Sequence, residues 1–284
     1  MIRLDILRAG VRWNPTKGDG LPVAIKLMSL LERHGCRVCA DAKLARILRC
    51  ESLPEDGNPG CDVLFVLGGD GTLLTALDYA VPYQIPMLGI NLGRLGFLTE
   101  VEPSDLEDDV ERLFAGDFHF DERMLMEMEN GPRGAFSLND VVISRKSVAT
   151  GILSIETEVD GRFVDRISGD GLIVASATGS TAYSLSAGGP IVTPGMDCFV
   201  LTPICSHTMN ARPVVAPSDV AVTVRVIDKP GEACAVFDGR YRFNLSAQTP
   251  GITIRRSERV ARFIRMRDRN YFELLRNKLS EWTH

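Results

Sequence analysis

The chain has 284 residues, more than one compact core usually holds, so one large or two ordinary domains are expected. Its net charge of −5, from 32 basic and 37 acidic side chains, argues against generic nucleic-acid binding, which needs a basic footprint. No apolar window reaches transmembrane length, and the first ten residues lack the apolar run of a signal peptide, so no membrane partner and a cytoplasmic location are expected.

Leu4 to Leu7 is a short apolar run, and Leu21 to His34 carries Val23, Ala24, Leu27, Leu30 and Leu31 at helical spacing. Cys36 and Cys39 form a C-x-x-C with His34, Cys50 and Cys61 nearby. A zinc site needs four converging ligands. Cys61 opens a buried strand and Cys50 falls in a connecting segment, so small buried thiols are the favoured reading. Seven cysteines, an odd number scattered through a long chain, do not make a disulfide framework. Val63 to Leu67 is apolar throughout, as a strand buried on both faces should be. Leu73 to Tyr79 reads as a helix and Pro86 to Ile90 as another buried strand. This strand–helix alternation predicts a parallel, Rossmann-like sheet over residues 1–120.

From about residue 121 to 264 the pattern changes. Val141 to Ser144, Leu153 to Val159, Gly171 to Ala175, Val220 to Ile227, Glu232 to Phe237 and Ile252 to Arg256 read as strands punctuated by Gly, Pro and Asp, which predicts a β-rich domain. Residues 265–284 revert to helical spacing, with Tyr271, Phe272, Leu274, Leu275 and Leu279 forming an apolar stripe that would dock back on the first domain.

Four segments carry chemistry. In the first, Val63 to Leu67 delivers the chain to Gly68-Gly69-Asp70-Gly71-Thr72 and then a helix, at the carboxyl edge where open α/β sheets bind ligands. Glycines there permit close backbone approach and positive φ, and the helix start offers unpaired N–H groups to an anion or ribose-phosphate. Neither the G-x-G-x-x-G fingerprint nor a Walker A lysine is present. The distinctive group is Asp70; capping of the next helix is its bland alternative. The second segment, Gly89 to Thr99, is another glycine-rich corner after a buried strand, and the two corners suggest a crevice. The third, Asn139-Asp140, sets an amide and a carboxylate at a strand start, where they suit either a hydroxylated ligand or a simple turn. The fourth runs from Gly169 to Pro190, where a strand ends in small hydroxylated residues before a short helix. It suits phosphate or ribose, and equally an ordinary loop.

Together these segments resemble the NAD kinase family. The resemblance rests on Gly68 to Thr72, Leu95 to Glu100, Asn139-Asp140, the run from Asp170 to Pro190, His207-Thr208 with Ala211-Arg212-Pro213, and Tyr271-Phe272 with Lys278-Leu279 and Trp282. It implies an N-terminal α/β domain, a β-rich C-terminal domain and NAD bound between them. It implies ATP, another nucleoside triphosphate or polyphosphate as donor, a divalent metal such as Mg²⁺, and a homodimer or homotetramer. By motif, Asp70 would be the base that takes the proton of the ribose 2′-hydroxyl, and Gly71 would lie against the nucleotide. Phe97 would pack near the adenine. Asn139 and Asp140 would bond the ribose and nicotinamide part, and Asp170 would bind the nicotinamide side. Thr178, Thr181, Ala182, Tyr183 and Ser186, with Ser184 and Leu185, would line the adenine pocket.

Departures from the family pattern add Thr150, Ser168 and Arg240 as candidate contacts. The family usually has Asn-Glu where this chain has Asn139-Asp140, a shorter arm that keeps the charge. Ser168 stands where a basic residue often precedes the Asp170 carboxylate. Thr150 stands where some relatives carry His, and Arg240 near a usual Gln or His, where it would meet a phosphate or be a surface charge. The alternatives are a diacylglycerol-kinase-like enzyme, which shares the Gly-Gly-Asp-Gly corner but not the Asp170 to Pro190 run, and a catalytically inert NAD(P)-binding regulator, which should have lost Asp70.

Overall fold

Val63 to Gly68 has no polar side chain and every residue in it is buried, so it can only be an inner strand. In the computed structural model, which describes residues 4–16, 20–55, 57–93, 96–132 and 135–281, it is the fourth of seventeen strands. The order is β1 (Arg8–Trp13), α1 (Gly20–Arg33), β2 (Arg37–Ala40), α2 (Ala42–Leu48), β3 (Glu51–Ser52), β4 (Val63–Gly68), α3 (Asp70–Ala80), β5 (Met87–Asn91), α4 (Leu106–Ala115), β6 (His119–Met128), β7 (Phe136–Ser137), β8 (Asp140–Arg145), β9 (Leu153–Val159), β10 (Arg162–Gly169), β11 (Gly171–Ser176), α5 (Tyr183–Ser186), β12 (Cys198–Ile204), β13 (Val214–Pro217), β14 (Val222–Val226), β15 (Ala233–Phe237), β16 (Tyr241–Asn244), β17 (Gly251–Arg265) and α6 (Tyr271–Glu281). The described residues form two compact units: one up to Glu122 and again from Ala261, the other Arg123–Val260. Arg94, Leu95 and Trp282, quoted in the motifs above, lie outside the described residues.

In the first unit β3, β2, β1, β4 and β5 pair in that order, all parallel, and Phe263 of β17 extends the sheet beside Met87 of β5. The strand order reverses at β1 and β4, which makes their carboxyl ends the crevice where doubly wound sheets take ligands. One face is covered by α1 and α4. Ala24, Leu27, Leu30 and Leu31 of α1, spaced three and four apart, pack with Val110 and Leu113 of α4 against Val11, Phe65, Leu67 and Ile90 of the sheet. Gly116 ends α4 in the left-handed conformation at φ 76°, its N–H returning to the carbonyls of Arg112 and Leu113.

One sequence expectation shifts here. The first strand is not Leu4 to Leu7 but Arg8–Trp13, and Leu7 is exposed. The strand tolerates two arginines because their heads leave the core: Arg8 bonds Glu51 at 2.7 Å, and Arg12 lies 4.1 Å over the Tyr79 ring. The C-terminal helix belongs to the first unit, as expected, with the Tyr271 ring 6.2 Å from that of Phe97; its leucines are half-buried and Phe272 is exposed.

The second unit is two antiparallel sheets. One runs β13-β12-β11-β8-β15-β16; the other includes β10-β9-β14 and the first residues of β17. Val141, Ile143, Val174, Phe199, Leu201 and Phe237 from the first meet Leu153, Ile155, Val222, Val224 and Ile254 from the second, the core of a sandwich. The opposite face of the six-stranded sheet is also apolar. Ile173, Ala175 and Val200 pack there with Ala177, Ala187 and Val192, so the segment after β11 folds over its own sheet. That is why Gly171–Ser176 is buried at every residue.

No helix among the described residues is long and apolar enough to cross a membrane. The seven cysteines are free. Cys36 donates to the Ile6 carbonyl at 2.9 Å and Cys39 to the Ala9 carbonyl at 3.5 Å, and burial raises both thiols above their ordinary value.

Candidate functional site

In the first unit the site is built at the ends of β1 and β4. Asn14, just past β1, donates from its amide to the Thr72 hydroxyl at 3.3 Å, and its backbone N–H bonds the Leu67 carbonyl at 3.0 Å. The two strand ends at the switch point are thus tied together. Sequence reading missed Asn14; its signal was an Asn-Pro pair straight after a strand.

Asp70 is the first residue of α3, not its cap. The N-cap is Gly69, with extended backbone and no side-chain capping bond. Asp70 is half-buried, and its carboxylate accepts the backbone N–H of Phe97 at 2.8 Å, Leu98 at 3.0 Å and Thr99 at 3.3 Å. Three of about four lone-pair directions are thereby used, leaving roughly one for a ligand hydroxyl. Helix capping is therefore not what the carboxylate does. The two glycine-rich corners of the sequence do converge, and this is their joint. Gly96 makes it possible, since a Cβ there would fall on the Asp70 carboxylate. Gly68, Gly69 and Gly71 do not adopt positive φ. Gly69 and Gly71 instead face open space, and Gly71 is exposed, which leaves backbone accessible to a ligand.

The loop that holds Asp70 is itself held from behind. Arg265 donates to the Leu98 carbonyl at 2.9 Å, and the buried Glu100 carboxylate accepts the N–H of Met266 at 3.1 Å and of Arg267 at 3.2 Å. Phe97, half-buried, lies in this loop with its ring against Tyr271.

In the second unit the Leu138-Asn139-Asp140 turn is gripped on both sides. Ser176 donates through its hydroxyl to the Leu138 carbonyl at 2.5 Å and through its N–H to the Asn139 carbonyl at 2.9 Å. A Cβ on Gly179 would overlap the Asn139 backbone, so the hydroxyl-rich segment packs directly on the turn. On the other side the Asp238 carboxylate takes the N–H groups of Leu138, Asn139 and Asp140. The Asn139 and Asp140 side chains have no hydrogen-bond partner among the described residues. Burial, and then the neighbouring Asp238 charge, push the Asp140 carboxyl up to about 7.

The expected adenine-pocket residues divide. Thr178, Thr181, Ala182 and Leu185 are half-buried, and Tyr183 and Ser186 are exposed. Thr178 accepts from Arg123 at 3.3 Å. Ser184 differs from expectation: its hydroxyl is fully buried and paired with Thr202 at 2.8 Å, so it braces the segment from inside. Asp170 does not join this cluster. It pairs with Arg145 at 2.9 Å, and the β8–β11 register sets Gly171 beside Ser144 but Ala175 beside Asp140. The two carboxylates are thus at opposite ends of a five-residue ladder roughly 14 Å long, four steps of about 3.4 Å each. Arg145 supplies the cation that Ser168 does not. Ser168 is exposed and engaged through its backbone, its N–H to Thr208 at 3.0 Å and its carbonyl to His207 at 2.7 Å. Arg240 is no surface charge: it faces Asp238 at 3.6 Å and lies 5.9 Å from the Phe136 ring centre. The Thr150 side chain lies outside the described residues.

Among the described residues no three His, Cys, Asp or Glu side chains converge as metal ligands.

The ATP-NAD kinase N-terminal domain model matches residues 10–118, and the ATP-NAD kinase C-terminal domain model matches residues 138–266. The chain is 42% identical over 264 residues to NAD kinase of Geobacter sulfurreducens, covering 90% of this chain and 92% of the relative. It is 40% identical over 281 residues to NAD kinase of Heliobacterium modesticaldum, covering 96% and 98%. Among solved structures, an NAD kinase from Archaeoglobus fulgidus in complex with ATP superposes with a TM-score of 0.78 at 27% identity, over 96% of this chain and 98% of that one. Yeast NADH kinase complexed with NADH has the same fold, with a TM-score of 0.83 at 21% identity over 97% and 88% of the two chains.

Proposed function

Because the chain belongs to the ATP-NAD kinase family, we propose that it transfers the γ-phosphoryl group of ATP to the 2′-hydroxyl of the adenosine ribose of NAD, giving NADP. The observation that carries the chemical reading is the Asp70 carboxylate, fixed by three N–H groups at the switch point of the parallel sheet with one direction open. An alcohol is a weak nucleophile, and a placed carboxylate orients it and accepts its proton. As the ribose oxygen bonds to phosphorus, the bond from the γ-phosphorus to the bridging oxygen breaks, ADP leaves and the hydroxyl proton passes to Asp70.

NAD is held by Asn139 and Asp140 through hydroxyl and amide contacts, and by the segment from Thr178 to Ser186 around the adenine. Gly71 and Phe97 line the nucleotide. Asp170, Arg145 and Ser168 form a separate polar group for the nicotinamide side. ATP as donor is supported by the ATP complex of the Archaeoglobus relative. A divalent ion such as Mg²⁺ would ride on the donor phosphates, which supply oxygen ligands, since no three carboxylate, His or Cys side chains converge among the described residues. The working protein is a cytoplasmic homodimer or homotetramer.

The test is direct. Purified protein is incubated with NAD, ATP and Mg²⁺, and NADP is followed. Formation of NADP is expected. Tight NAD binding without NADP would favour an inert regulator, and phosphorylation of a lipid alcohol instead of NAD would favour the diacylglycerol-kinase-like alternative.

A further inference from the structure

We infer that Asp238 is the positioning residue of the NAD-binding turn: its carboxylate fixes Leu138, Asn139 and Asp140 in the arrangement that NAD recognition needs. The inference rests on the reading of Asn139 and Asp140 as NAD contacts.

Asp238 and Gly239 are the two central residues of the β15–β16 hairpin. Both have positive φ, 47° and 67°, and the Arg240 N–H closes the turn on the Phe237 carbonyl at 2.8 Å. Asp-Gly is a preferred pair for this type of turn, so its presence is explained by backbone chemistry alone. The side chain is not. An asparagine would make the same turn without burying a charge. Here the carboxylate is fully buried, with no exposed side-chain surface. Buried charge is costly unless every lone pair is used.

Those lone pairs are used on one target. Oδ1 accepts the Ser137 hydroxyl at 2.5 Å, the Asn139 N–H at 2.8 Å and the Asp140 N–H at 3.1 Å, while Oδ2 accepts the Leu138 N–H at 2.7 Å and faces Arg240. The Asp238 N–H in turn donates to the Asp140 carbonyl at 3.0 Å. Three successive backbone N–H groups aimed at one carboxylate form an anion-binding concavity that the protein fills with its own anion. With Ser176 holding the carbonyls of Leu138 and Asn139, the backbone of the turn has no freedom left, and the two unpartnered side chains project from a fixed frame. A ligand then meets a preorganised pair rather than one it must order.

The test compares wild type, Asp238→Asn and Asp238→Ala by NADP formation at varied NAD and varied ATP, with NAD affinity measured separately by calorimetry. Asp238→Ala is expected to raise KM and Kd for NAD by about tenfold or more, the scale of one lost charged hydrogen bond, with KM for ATP within about twofold. Asp238→Asn keeps one acceptor oxygen but turns an NH₂ toward a turn N–H, so it should fall between them; it carries the comparison if the alanine variant does not fold. Unchanged NAD parameters in both variants overturn the inference. So does a parallel rise of both KM values, which marks general loosening instead. Absence of NADP formation by wild type would refute the proposed reaction, and the calorimetric NAD comparison would still decide the role of Asp238.

Discussion

Gly96→Ala perturbs the Asp70 clamp without touching the carboxylate itself. The added Cβ would occupy the space of the Asp70 carboxyl group, so either the side chain swings out or the Gly96–Thr99 loop backs away. In either case the bonds from Phe97, Leu98 and Thr99 are lost or lengthened. A hydrogen bond to a charged group contributes about 1.5–3 kcal/mol, and because Asp70 is half-buried, water replaces part of what is lost; a net destabilisation of about 1–3 kcal/mol is expected. The effect on turnover is larger in proportion. A displacement of about 1 Å in a reacting group costs on the order of 10²-fold, so kcat for NADP formation should fall by about that factor. The loop cannot readily relax away, because Arg265 holds the Leu98 carbonyl and Glu100 accepts two N–H groups from the Met266 region. The assay pairs steady-state kinetics with a denaturant melt of the same preparation. Wild-type kcat together with a wild-type melt would refute the reasoning, since it would mean that the Asp70 carboxylate does not occupy this position.

Other outcomes follow from the second unit. The folded-state pKa of Asp140 is raised to about 7, so the folded protein keeps a proton that the unfolded chain loses. Its contribution to stability is complete below the ordinary carboxylate value of about 4 and is lost as pH rises through about 7. Asp140→Asn should flatten the pH dependence of the melting temperature between those limits; an identical slope in wild type and variant would contradict the assignment. Ser176→Ala leaves the Leu138 carbonyl and the Gly179 N–H without their hydroxyl partner, at about 1–3 kcal/mol for each group that stays unsatisfied. A urea midpoint within error of wild type would show that water or the backbone replaces it.

How much of this was legible in the sequence depended on the range over which each contact acts. The apolar run of β4, the helical spacing of α1 and the strand–helix alternation are local, and they identified the parallel sheet. β1 was misplaced by a few residues because its arginines hide a buried strand whose charges leave by its ends. β12 was missed although it is almost wholly apolar. Pro203 argues against an inner strand, yet pairing with β13 stops at Leu201, so the proline sits where its missing N–H is not needed. Only Ile252 to Arg256 of the fifteen-residue β17 was read as strand, because its later residues mix charge with apolar side chains.

At the candidate site, the chemistry-bearing motifs were visible and their connections were not. Asp70 could be read as a carboxylate at a ligand edge, but its bonds to residues 27 to 29 positions away could not. Nothing in the sequence singled out Asp238, since its partners lie about a hundred residues earlier. The separation of Asp170 from Asp140 came from strand register, which the motifs do not encode.

The central claim is that Asp70 receives the proton of the ribose hydroxyl. Asp70→Asn keeps the size of the side chain and an oxygen able to accept from Leu98 and Thr99, and removes the base. Turnover to NADP at saturating NAD and ATP, measured beside NAD affinity on the same preparation, decides the matter. Loss of most turnover with NAD binding nearly unchanged is the predicted result; wild-type turnover in the asparagine variant would contradict it.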